Sequence, residues 1–322
     1  MTGRLRPRRA SLKSLVRAPP PEQDGGVVEI ACDESGADGE NLVGGNTLFF
    51  AHASVDLPVD IAAAHLVEIR ARIRSPATEY KANHLLREKH RAVLEWLLGA
   101  LCGRAHVELV HKESFLVGRV VEVLGGDLSD AEALLREKAG AQPWGVFLRA
   151  ANRLLRVRAD VDSATLVREF LDALDALRQA VSDGESGDAL ARLAQGRERA
   201  HAYRAAIPTL IPVLDPLFPT VVATAAHWSA PGVPVHLVHD RQTLLSPARI
   251  AWIRERAGAR GVELAGMRLV QARHEPRVQL ADFLAGIARK IAGDALTGAG
   301  DPVLGELLRP YLEGNALKNA IT

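Results

Sequence analysis

The sequence predicts a mixed α/β domain interrupted by a long helical region, and three observations lead there. Apolar, strand-like runs open the chain at 27–32 and 47–55. From Phe115 to about Ser229 almost all the periodicity is helical. After residue 234 the pattern becomes strand, helix, strand, helix. Composition agrees. In 322 residues, 48% are hydrophobic and 25% charged, which supplies a real core and rules out a disordered or fibrous chain.

The first strand is expected over Val27 to Cys32, led in by Gly25 and Gly26 and stopped by a polar turn, Asp33-Glu34-Ser35-Gly36. A second strand is expected over Thr47 to Val55, with Gly44-Gly45 suiting a hairpin connection. Pro58 opens a helix to about Arg74, with Ile61, His65, Ile69 and Ile73 on one face. Ser75-Pro76 ends it, because the residue before proline disfavours helix. A short extended piece, Thr78 to Lys81, leads to a helix at about 83–101 whose stripe is Leu86, Val93, Trp96, Leu97 and Leu101. Ala105 to His111 is a strand.

In the helical region the clearest helix runs from Ser163, as N-cap, to about Val181, and 182–188 is a polar linker. A strand over Val235 to His239 ends in Asp240. A helix at about 246–257, a strand at about 262–270 and a helix from near Arg277 to about Ile291 follow. The organisation is then a basic arm (1–24), a discontinuous core (25–114 and 230–295), a helical insertion (115–229) and a tail with a short helix (296–322).

Forty Lys+Arg against 39 Asp+Glu give a net charge of +1, so a strongly basic wrapper of nucleic acid is not indicated. The arm, with Arg4, Arg6, Arg8, Arg9, Lys13 and Arg17, reads as a solvated tail that could also hold phosphates by charge. No apolar stretch follows it, so it does not read as a secretory signal. No uncharged apolar run reaches the ~18–20 residues that span a bilayer. Two cysteines, Cys32 and Cys102, fit a reduced, cytoplasmic setting, and Cys32 reads as core.

Four acids share a pattern. Asp33 directly follows the first strand, Glu79 lies just after Pro76, Asp240 follows the strand at 235–239, and Asp282 lies in the first turns of the late helix. Open α/β sheets place their sites in the crevice beyond strand ends. Two carboxylates ~4 Å apart repel by ~4 kcal/mol at an effective dielectric of ~20. Hard cations with oxygen ligands, Mg²⁺ or Mn²⁺, compensate that. Each acid also has a bland reading: Asp33 as a turn residue, Asp240 as a cap, Asp282 as a partner of the helix dipole. Lys81, two residues from Glu79, either holds a substrate phosphate or pairs with Glu79. There is no GxxxxGK[ST], no GxSxG, and no Cys/His cluster for zinc, since His236 and His239 point to opposite faces of a strand.

The DESG segment (Asp33 to Gly36), E-x-K followed by Leu85-Leu86 (Glu79, Lys81), the strand ending in Asp240 and QLADFLAG (Gln279 to Gly286) together resemble the domain-of-unknown-function 3800 family. The resemblance covers roughly 27–292 apart from the insertion. It implies a ribonuclease H-like mixed β-sheet flanked by helices, with Asp33, Glu79, Asp240 and Asp282 as metal ligands and catalytic acids. Glu34 becomes a possible fifth acid, and Lys81 and Gln279 supporting residues. It also implies three antiparallel strands where two early ones are evident, the third expected around Ala37 to Asn46 or near Val55.

The function expected is a metal-dependent nuclease, using Mg²⁺ or Mn²⁺ on a nucleic acid, RNA or DNA, with Lys81, Arg241, Arg273 and Arg277 steering phosphates. The alternative is an inactive module that binds nucleic acid or a protein partner, or self-associates, through the insertion. A phosphohydrolase or transferase acting on small molecules through the same acids is a third reading.

Overall fold

The computed structural model describes residues 26–75, 80–126, 132–158, 161–181 and 185–312. The basic arm, Glu79 and the last ten residues of the tail therefore lie outside the described residues. The elements in chain order begin with β1 (Val28–Ser35), β2 (Phe49–Val55), α1 (Val59–Ile73), α2 (Ala82–Leu85), α3 (Arg91–Ala100) and β3 (Ala105–His111). Helices α4 (Lys112–Leu124), α5 (Glu132–Ala139), α6 (Ala141–Leu155), α7 (Ser163–Ala180), α8 (Glu185–Ala194), α9 (Arg197–Ala205) and α10 (Leu217–Trp228) follow. The chain closes with β4 (Val235–Asp240), α11 (Pro247–Gly258), β5 (Leu264–Val270), α12 (Pro276–Leu296) and α13 (Pro302–Leu308).

The five strands form one mixed sheet in the order β3-β2-β1-β4-β5. β1 runs antiparallel to β2, β2 antiparallel to β3, and β4 parallel to both β1 and β5. The third antiparallel strand is thus β3, which follows the α1–α3 excursion, and not a piece of 37–46 or an extension of Val55. β1 also runs three residues further than its apolar run. Asp33, Glu34 and Ser35 pair with Ala53, His52 and Ala51, so they belong to the strand and not to a turn.

Every residue of β2 is buried, as expected for a strand covered on both faces. On one face, α12 packs Leu280, Leu284 and Ile287 against Ala51 and Ala53, with α1 and α3 beside it. On the other, α10 and α11 pack Phe218, Val221 and Ile253 against Ile30, Cys32, Phe50 and Leu237. Cys32 is fully buried there, as its alternation with Asp33 predicts. Helix α10 lies within the stretch assigned to the insertion, but its core is the sheet's. Among the described residues, no helix is long and apolar enough to cross a membrane.

Several expected helices differ in detail. α1 buries Ala62, Ile69 and Ile73, while Ile61 is 42% exposed. The helix expected over 83–101 is broken into α2, a single 3₁₀ turn at Glu88–His90, and α3. The N-cap of α7 is Asp162, whose carboxylate accepts from the Thr165 N–H at 3.0 Å, one residue before the expected Ser163. α8 already begins at Glu185, inside the stretch read as a linker. The late helix runs on to Leu296.

Helices α4 to α9 have their own apolar core, including Leu116, Phe147, Leu148, Phe170 and Leu190. What ties this core to the sheet is the β1–β2 loop. Leu42 is buried in the helical core, and Asn152 of α6 fastens the loop around it. The Asn152 side chain accepts from the Leu42 and Val43 N–H groups at 3.0 and 3.2 Å and donates to the Glu40 carbonyl at 2.7 Å. Glu40 in turn accepts from the Val157 N–H at 2.9 Å. Lys112, buried at the start of α4, holds the other side of the loop through Asp38 and Thr47. One amide therefore satisfies three backbone groups at a largely buried seam. Asn152→Ala is expected to cost roughly 2–4 kcal/mol by stranding them. Urea unfolding monitored by circular dichroism checks this, and an Asn152→Asp control is expected to recover part of the loss by keeping the acceptor.

Candidate active site

Two local devices bring the acids together. The first is the end of β1. Alternation turns Asp33 toward the α12 face and Glu34 toward the α10 face. Gly36 then turns the chain at φ 88°, where an added Cβ would strike the Phe49 carbonyl and lie 2.7 Å from Arg289 Cδ. Ser35 accepts from Arg289 Nε at 3.0 Å. The Ser-Gly of the DESG segment thus seats α12 against β1. The second device is Gly286, where an added Cβ would collide with Ala82 Cβ of α2. That close approach carries Asp282, one turn earlier on α12, up to the N-terminus of α2. Asp282 itself lies in the second turn of α12, so the helix-dipole reading does not apply to it.

Asp33 is 6% exposed. Burial pushes its carboxyl well above the ordinary carboxylate range, and the charges of Glu34, Asp282 and Asp240 push in the same direction. Burial, then the charge of Asp240, raises Glu34 to about 7. Asp33 therefore lies close enough to sense Glu34, Asp240 and Asp282, and Glu34 to sense Asp240. Asp240, the last residue of β4, is oriented by the Ala272 N–H, which donates to its Oδ1 at 2.9 Å. Asp282 Oδ2 pairs with Lys81 Nζ at 3.2 Å. Gln279 lies one turn before Asp282 on the same face of α12. The Tyr80 hydroxyl, next to Glu79 in the chain, accepts from the Ser75 N–H and donates to the Ser75 carbonyl. Glu79 itself lies outside the described residues.

Among the described residues, no three His, Cys, Asp or Glu side chains form a group that could hold a metal ion. The chemistry of the acids nonetheless suits a hard cation. All four offer oxygen only. Glu34 Oε1 accepts from Gln242 Nε2 at 3.0 Å, but its Oε2 is buried without a hydrogen-bond partner. A buried carboxylate oxygen is costly without a donor, a proton or a cation, and the Asp33 carboxyl hydrogen-bonded to Glu34 is one source of a proton.

Sequence reasoning missed His52 and Asp215 around this site and favoured reading His239, beside Asp240, as a packed strand histidine. His52 and His239 are fully buried beside Glu34, with His239 Nε2 3.6 Å from Glu34 Oε2. Asp215 caps α10 by accepting from the Leu217 N–H at 3.0 Å, and its charge adds to the pressure on Glu34. His52 did carry a signal, as the one polar ring in the apolar run FFAHASV. Arg277 is a correction. It is 5% exposed and held by Glu275 at 2.9 Å and Glu29 at 3.2 Å, so it fastens the start of α12 to β1 and is not turned toward a substrate. Arg241 and Arg273 are exposed near Asp240 and Ala272.

No family model, no curated protein and no solved structure matches the chain.

The raised carboxyls give a pH signature. Glu34 binds its proton more tightly in the folded chain than in the unfolded one. Its contribution to stability is therefore intact below the ordinary carboxylate range and is lost as pH rises through about 7. Glu34→Gln removes that loss. In metal-free buffer its stability relative to wild type is expected to grow between pH 5 and pH 8, by about 1–3 kcal/mol. Thermal unfolding across that range checks it. A constant difference would mean that Glu34 has an ordinary affinity for protons.

Proposed function

We propose that the chain is a nuclease that hydrolyses phosphodiester bonds with divalent cations on a ribonuclease H-like core. The observation that carries the reading is that carboxyls from β1, β4 and α12 approach one another at one end of the sheet around the buried Asp33, whose proton affinity the charges of Glu34, Asp282 and Asp240 raise. The β1–β2–β3 meander supports it, since three antiparallel strands are what the family resemblance implies. Asp33, Asp240 and Asp282 would hold one Mg²⁺ or Mn²⁺, with Glu79 completing a second site and Glu34 adding charge beneath. Bound there, such cations supply an activated water and stabilise the leaving oxygen.

The chain's own residues have separable tasks. Asp33 and Glu34, whose burial favours the protonated form, would give up those protons to a cation in a place where electrostatic interactions are strong. The Ala272 N–H keeps the Asp240 carboxylate aimed. Lys81 neutralises Asp282 in the metal-free chain, and it would exchange that carboxylate for a substrate phosphate. Arg241 and Arg273, both exposed, would draw in the polynucleotide. A contact to the 2′-hydroxyl would select RNA or a hybrid over DNA.

One observation favours a second reading. The described acids do not form a cation-holding group of three, and Lys81 already partners Asp282. An inactive module of the same architecture, binding a partner through the insertion, would look the same.

The deciding experiment incubates labelled single-stranded RNA, RNA–DNA hybrid, and single- and double-stranded DNA with the protein in Mn²⁺ or EDTA. Wild type is expected to cut at least one of them in Mn²⁺ only, and Asp33→Asn to lower the rate by roughly 10³-fold. Mn²⁺ at about 100 times its Kd is expected to stabilise wild type by about 2.7 kcal/mol. Asp33→Asn is expected to be more stable than wild type without metal and to gain nothing from it. Neither cleavage nor a Mn²⁺-dependent shift, from folded protein, would move the assignment to the binding module.

A further inference from the structure

The acid site has a basic neighbour. Between Arg70 and Arg91 the chain places seven Lys or Arg residues against two acids, in a protein whose net charge is only +1. Tyr80 ties several of them together. Its hydroxyl grips Ser75, next to Arg74, and its ring carries the Arg70 guanidinium at 4.9 Å and stacks with His84 at 5.3 Å. His84 in turn accepts from the Lys81 N–H at 3.2 Å, and Lys81 Nζ lies 3.2 Å from Asp282 Oδ2. Arg87 and Lys89 follow on the 3₁₀ turn. Burial, then the charges of Lys89, Arg87 and His84, hold His90 below its ordinary range, so these cations lie close together.

Two features set this surface apart from an ordinary solvated face. Arg72, Lys81 and Arg91 each pair with a carboxylate. Arg74, Arg87 and Lys89 are exposed, and among the described residues no carboxylate lies within ion-pair distance of them. Arg74 is also, among the described residues, the one non-glycine with a positive φ, at φ 50° and ψ 40°. That left-handed cap of α1 is where glycine fits without strain, so an arginine keeps its guanidinium there at a cost to the backbone.

We propose that this surface is a track for the phosphate backbone of a nucleic-acid strand that runs into the acid site. Arg74, Arg87 and Lys89 take its phosphates by charge, without reading bases, and Lys81 meets the strand where it reaches Asp282. The choice of a polynucleotide over another polyanion rests on the reading under Proposed function. Binding to the track itself needs neither cation nor cleavage.

Fluorescence anisotropy of short labelled single-stranded RNA and double-stranded DNA, titrated with the full chain in EDTA over a range of salt, tests it. The triple variant Arg74→Gly, Arg87→Gln, Lys89→Gln is expected to bind at least about tenfold more weakly at ~0.1 M salt, with a log–log salt slope shallower by about 2–3. Arg74→Gly alone relieves the left-handed backbone. It is expected to keep or raise the melting temperature while still losing affinity, so the weaker binding is not a folding defect. Neutralising three exposed arginines elsewhere, Arg168, Arg256 and Arg260, is the charge-matched control, expected to change affinity by less than about threefold. An unchanged affinity and slope in the triple variant overturns the proposal. So does an equal loss in the control, or a wild type that binds no polynucleotide in EDTA. Equal or tighter binding of poly-glutamate or anionic phospholipid vesicles through the same three residues also overturns it, and marks the surface as a protein or membrane contact. The expected binding from a protein that cuts nothing in Mn²⁺ removes the nuclease reading and leaves the track. Cleavage, with binding unchanged in the triple variant, removes the track and leaves the nuclease.

Discussion

Like charges held together out of water govern this structure. The charges of Glu34, Asp282 and Asp240 bear on the buried Asp33, and that of Asp240 on Glu34, where burial removes much of the solvent that would screen them. A chain selected for stability alone would have apolar groups here, because β2 is sealed on both faces and β1 is buried from Ile30 to Asp33. The surroundings are consistent with tolerance of that repulsion. Lys81 lies against Asp282, backbone N–H groups are directed at Asp33 and Asp240, and Gly36 and Gly286 allow α12 close to the strands and α2. Stability given up at one place, while the rest of the core is well packed, is the usual mark of a functional site.

The helical insertion enters this picture through the β1–β2 loop. That loop begins at Gly36, two residues after Glu34, and buries Leu42, midway along it, in the insertion's own core. Asn152 and Lys112 hold it from two sides. The strand end bearing Asp33 and Glu34 is thus braced by helices that share no apolar core with the sheet. Helix α10, by contrast, is a true layer of the sheet and brings Thr224 and Asp215 into the vicinity of Glu34.

Much of this is legible in the amino-acid sequence. The five strands read as apolar runs, and Asp33 and Asp240 stood out because each ends one. What the sequence hid is long-range. Glu34 looked like part of a turn, since nothing local says that β2 will pair with it and extend β1 by three residues. Arg277 looked like a phosphate ligand, because one of its partners, Glu29, is 248 residues away. The His52–His239 contact joins two histidines that each read as an ordinary strand residue, 187 positions apart. The break between α2 and α3 was hidden for another reason: the apolar spacing continues across it, and only the backbone turn at Glu88–His90 interrupts the helix.

The parallel pairing of β1 with β4 also has a temporal meaning. Gln242 and Glu34 touch across 208 residues of chain. During synthesis, β1, β2 and β3 and then the whole insertion leave the ribosome before β4 exists. The meander and the helical bundle can gather early through local contacts, but the sheet closes only at the end, and contacts of such separation form slowly. Until then, the edge of β1 that β4 will cover is open, with the acids of β1 at its tip. Their mutual charge makes that edge a poor template for another chain's strand, and in this sense the acids protect the nascent protein.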